Sequence, residues 1–277
     1  MAEAITDRQV VAVLRPFVRA TGPVLDAVRE AGPVRLRRRA LPAVAERAPV
    51  RRRGRWARLA RRLVAVRAPG TARWAAMDPA ERTDWWINRV GRLTALVASV
   101  PNLGGALAAR LPVRPVVGAA GQGLLLCAIA GEYGCTAPAD RVRLLAWVLF
   151  GRRISPELAA GGQGTTSELD GPDGVGAEAR RAAELTEELT ASRRAHGRAT
   201  LAALGRTVWR LGRALWALEG ELDKRPRGRF YHEALGMLPV AGVLGGYLGE
   251  RSALRRARRA ALKWIRAERR ALPSPVR

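Results

Sequence analysis

This chain of 277 residues has little cysteine, lysine, histidine or aromatic side chain, and each shortage excludes something. Cys127 and Cys135 are its only cysteines. A chain this long buries a core without covalent staples, so a disulfide framework is not expected and both thiols read as reduced. The two histidines, His196 and His232, have no cysteine or carboxylate at ligand spacing, and no metal site is assigned. Lysine occurs only as Lys224 and Lys263, and no Walker motif is present. No serine sits in a G-x-S-x-G elbow. "GAAGQG", residues 118–123, lacks the preceding strand and the ribose-binding acid of a dinucleotide loop. No catalytic residue and no cofactor are therefore assigned, and an enzyme with an unrecognised site stays an alternative. Strand-like alternation is almost absent as well. The opening "MAEAITDRQVVAVLRPF" carries charges where a signal peptide needs an apolar core, so a cytoplasmic location is expected.

What is abundant is arginine. Lys and Arg number 49 against 24 Asp and Glu, a formal net charge of +25. Arginine in place of lysine follows base composition as readily as chemistry, so the choice of residue carries little weight. The charge itself attracts anionic surfaces, with phosphate on lipid or on nucleic acid the obvious partner. Nucleic acid is supported by the charge alone: aromatics are 5%, with no zinc pattern, RNP-like strand or clear helix-turn-helix.

The remaining signals are helical and predict an all-α, multi-helix fold with glycine-spaced apolar helices and basic amphipathic helices. Residues 1–68 read as a basic N-terminal region with short helices, and 69–160 as a first helical half. Residues 161–177, containing "GGQGTTSELDGPDGVG", read as a flexible linker, and 178–277 as a second half packing on the first. Asp78, Pro79 and Glu81 make a helix start. Gly134 and Gly151 are helix stops, and Gly197 divides the long segment after the linker. Leu204, Val208, Leu211, Leu215 and Leu218 form a stripe opposite Arg206, Arg210 and Arg213. Glu132 is the one acid in a long uncharged stretch. Buried, it would have a raised pKa, whereas a surface acid at a helix end is ordinary.

Two segments combine apolar and basic stripes. In residues 51–67, Trp56, Leu59, Leu63 and Val66 share an arc beside Arg55, Arg58, Arg61 and Arg62. Near the C-terminus, Leu254, Ala257, Ala261, Trp264 and Ile265 lie opposite Arg255, Arg259, Lys263, Arg266 and Arg270. Such a helix either buries its apolar face in its own protein, lies on an anionic membrane with tryptophan at the headgroup level, or grips nucleic acid. The membrane reading assigns Trp56, Arg58, Leu59, Arg62, Leu63, Arg259, Lys263 and Trp264 to the surface contact. Between the stripes' themes lies "LGMLPVAGVLGGYLGER", where Gly242 and Gly246, and Gly245 and Gly249, are each four apart and open a face for close helix packing. This run and 115–131 are too short or too glycine-rich to span a bilayer, which takes about 20 apolar residues, and both read as buried or membrane-dipping helices.

"GRLTALVASVPNLGG", "LLLCAIAGEYGCTAPADRVRLLAWVLFG" and "LGMLPVAGVLGGYLGERSALRRARRAALKWI" together resemble the EcsC family, encoded beside some bacterial ABC transporters. The likeness covers roughly 85–152 and 200–266. It rests on the Ile129-Ala130 to Tyr133-Gly134 helix end, Arg141 and Arg143 opening the next helix, and Leu238-Pro239 with Gly242. It implies a helical, membrane-associated accessory protein, with a transporter component as protein partner and no established catalytic residues. The arginine-rich N-terminal extension and the acidic, glycine-rich insertion depart from the family pattern.

Overall fold

The computed structural model describes residues 5–30, 69, 71–98, 113–161, 172–218 and 241–271. Among them the fold is all-α, with no strand. In chain order the helices are α1 (Asp7–Glu30), α2 (Ala72–Ala75), α3 (Pro79–Ala98), α4 (Val113–Glu132), α5 (Pro138–Phe150), α6 (Pro156–Ala160), α7 (Pro172–His196), α8 (Leu201–Trp216) and α9 (Ala241–Ala271).

The helix ends follow local chemistry. Asp78 accepts from the Glu81 amide at 2.7 Å, and Glu81 reaches back to the Asp78 amide at 3.4 Å, a reciprocal cap on α3. Thr6 and Gln9 make the same exchange at the start of α1, at 3.3 and 2.8 Å. Past α4 the chain turns at Gly134, φ +79°, and the Cys135 amide donates to the Ala130 carbonyl at 2.8 Å. Gly151, at φ 65°, closes α5 in the same left-handed way, as glycine allows.

Helix α4 is the axis of the molecule. It touches α1, α3, α5, α8 and α9, and its side chains from Val116 to Ala130 are buried throughout. Uniform burial explains its lack of an apolar stripe: every face meets another helix. The Phe17 ring lies against Gly123, where an added Cβ would come within 2.5 Å of Cζ. The stripe on α8 packs on this axis, while Arg206 and Arg210 pair with Glu187 and Glu188 of α7. One helix among the described residues, Pro115–Glu132, is long and apolar enough to cross a membrane, and 83% of that window is buried in the protein.

Three expectations need correction. The N-terminal region does not begin with short helices: α1 runs for 24 residues, with Val10, Leu14, Phe17 and Val24 fully enclosed. Helix α1 carries Pro16 and Pro23 in its interior, because burial of about 1.5–3 kcal/mol per large apolar side chain outweighs the lost amide bonds. Residues 172–177, expected within the linker, are helical instead: α7 begins at Pro172, with proline in the first helical position it favours. The third correction, Trp264, belongs to the functional surface.

Candidate functional site

Helix α9 has two faces of different character. Leu254, Ala257, Ala261 and Ile265 are buried against α3, α4 and α5. Trp264 joins them at 9% exposure, so it is a core residue and not a surface anchor. Its ring lies beneath the Arg143 guanidinium at 5.5 Å, and Arg143 also donates to Glu268 at 2.6 Å and to the Ile154 carbonyl at 3.3 Å. The amphipathic pattern was legible, but a stripe covered by protein and one covered by lipid have the same periodicity.

The opposite face is cationic. Arg255, Arg259, Lys263, Arg266 and Arg270 are all exposed. At about 100° per residue they fall within about 80° of arc, along about 22 Å of helix. On α9, Arg258 pairs with Asp84 at 2.6 Å and Glu268 with Arg143 at 2.6 Å, both off this arc. A shallow groove of about 500 Å³ runs along the same face, lined by Arg259, Leu262, Lys263, Arg266, Ala267 and Arg270. Arg259 and Lys263, assigned to a surface contact from sequence, are thus brought together with Arg266 and Arg270.

The other assigned residues stand differently. Trp56, Arg58, Leu59, Arg62 and Leu63 lie outside the described residues. Gly242, Gly245, Gly246 and Gly249 fall within α9, in a stretch whose packing is not among the described features.

A second constellation surrounds Glu132. Its side chain, 9% exposed, accepts from Trp86 Nε1 at 3.0 Å and from Arg82 at 3.4 Å, and Arg29 stands 3.9 Å away. Trp74 and Trp85, and Trp85 and Trp86, meet edge to face at 5.0 Å, with Arg82, Arg89 and Arg29 set over the three rings at 5.8, 5.5 and 5.1 Å. Burial, and then the neighbouring Arg92, lower the pKa of Arg89. Glu132 was conspicuous in the sequence. Its partners were not, because they come from helices α1 and α3, remote along the chain. Chemically the cluster is a satisfied structural junction: one buried acid ties three helix segments through cations and indole.

Among the described residues no group of three or more His, Cys, Asp or Glu side chains is placed to hold a metal. Cys127 and Cys135 are free. Comparison with protein-family models, curated proteins and solved structures found no match.

Proposed function

We propose that this is a non-catalytic, peripherally membrane-associated helical accessory protein on the cytoplasmic side, which holds an anionic lipid surface through the exposed cations of α9. The observation that carries this reading is the separation of faces on α9: apolar residues seated in the core, and five cations on one arc. Long arginine and lysine stems lay methylene groups along an interface while their charges stay at phosphate level. The resemblance of 85–152 and 200–266 to the EcsC family supports the same reading and suggests an ABC-transporter component as protein partner.

The test is co-sedimentation of the full chain with neutral and anionic vesicles, beside a salt-titrated duplex DNA binding assay. Binding to anionic vesicles with little to neutral ones is expected. Tight, strongly salt-dependent DNA binding without vesicle binding would replace this reading with the nucleic-acid one.

A further inference from the structure

Helix α7 is fastened to α1 and α8 more by charge than by apolar contact. Among its described side chains, Ala182 and Leu189 are the buried apolar ones, beside the hydroxyls of Thr186 and Ser192. The shorter α8, by contrast, buries Leu204, Val208, Trp209, Leu211 and Leu215. Ion pairs supply the rest of the attachment. Glu178 meets Arg15 and Arg19 of α1 at 2.9 and 3.4 Å. Glu188 meets Arg206 and Arg210 of α8 at 3.0 and 3.5 Å, and Glu187 meets Arg210 at 3.1 Å. At the far end Arg193 lies 3.6 Å from Glu30 and donates to the Pro23 carbonyl at 3.4 Å. Arg19, Arg206 and Arg210 keep 48%, 46% and 38% side-chain exposure, so dissolved ions reach and screen their pairs. A helix with few buried apolar contacts and screened attachments is the kind that opens ahead of its core. Three carboxylates of α7 thus neutralise four arginines on α1 and α8. A guanidinium fork pairs with phosphate as well as with carboxylate, and an anionic bilayer presents many phosphates against three carboxylates.

We infer that α7 is an ionic latch that an anionic lipid surface opens: phosphates take Arg15, Arg19, Arg206 and Arg210 from Glu178, Glu187 and Glu188, and α7 lifts as a unit. The inference rests on the proposed membrane reading and adds to it a helix that masks a second cationic face, on α1 and α8, until lipid is present.

The experiment is amide hydrogen exchange of the full chain, read by mass spectrometry for α4, α7 and α8 separately. It is run in low and high salt without lipid, and in low salt with vesicles of phosphatidylcholine alone or mixed with phosphatidylglycerol. Two triple variants accompany it. Glu178→Gln, Glu187→Gln and Glu188→Gln cuts the latch. Asp26→Asn, Glu157→Gln and Glu184→Gln removes the same charge from exposed positions that pair α7 with no other helix. Thermal melts and undiminished protection of α4 confirm that both variants fold. In the unaltered chain, high salt and the phosphatidylglycerol vesicles should each speed exchange in α7 about tenfold, with α4 unchanged and phosphatidylcholine alone without effect. The latch variant should show fast α7 exchange already in low salt, and the control should not. Exchange of α7 in step with α4 at both salt levels overturns the inference. So does an α7 that stays protected on phosphatidylglycerol vesicles to which the chain is bound, and this outcome leaves the membrane reading standing. Failure to bind any anionic vesicle overturns both.

Discussion

At Gly212 the backbones of α4 and α8 come close together. A Cβ there would collide with the Val116 carbonyl oxygen and lie 2.8 Å from Val116 Cγ1, and a backbone atom inside a central helix cannot move aside. Gly212→Ala should therefore cost about 1–3 kcal/mol. Gly22, inside α1, meets nothing within 4 Å, so Gly22→Ala should gain about 0.5–1 kcal/mol from reduced backbone freedom. Denaturant midpoints of the two variants should move in opposite directions, and shifts of the same sign would contradict the close contact. Cys127 offers a pH test. Burial pushes its thiol up to about 11, against the lowering effects of a Thr21 hydrogen bond and of Arg141. Burial also raises the pKa of Cys135. A raised folded-state pKa means that the unfolded chain loses the proton first. Its stability contribution is full below the free thiol value of about 8.5 and is lost as pH climbs towards about 11. Stability should fall across that window, and Cys127→Ala should flatten the fall, read from thermal midpoints in steps of pH.

Among the elements, those with their own punctuation were legible in the sequence: the Asp78–Glu81 cap of α3, the Gly134 and Gly151 stops, and the break at Gly197, which takes φ +64°. The length of α1 was not, because the burial of Val10, Leu14, Phe17 and Val24 that holds all 24 residues together comes from helices remote along the chain. The Glu132 junction was half legible. A lone acid at the end of an uncharged helix can be seen in the sequence, but Arg29, Arg82 and Trp86 become its neighbours only when α1 and α3 dock on α4. Replacing Glu132 by Gln keeps the shape and removes the charge that two guanidinium groups share. Buried pairs broken on one side cost about 3–5 kcal/mol, and since Arg29 and Arg82 retain 37% and 25% side-chain exposure, a loss nearer about 2 kcal/mol is expected. Near-ultraviolet circular dichroism should register the change in the tryptophan cluster. A variant with unchanged stability and unchanged aromatic signal would show that Glu132 ties nothing together.

For the molecule as far as it is described, arginines on different helices show two kinds of physics. Arg82, Arg143 and Arg258 are each at most 25% exposed and sit against carboxylates of other helices, so solvent ions screen them poorly. The α9 arc projects into solvent, where its attraction to a charged surface fades beyond a Debye length. That length falls from about 10 Å at 0.1 M salt to about 3 Å at 1 M. Raising salt should therefore release the chain from anionic vesicles while barely shifting its unfolding temperature. Both can be read on one preparation, by co-sedimentation and by a thermal melt across the same salt series. A melting temperature that falls together with vesicle binding would mean that the exposed arc and the interior pairs form one electrostatic network, and the division between structural and surface arginines would have to be abandoned.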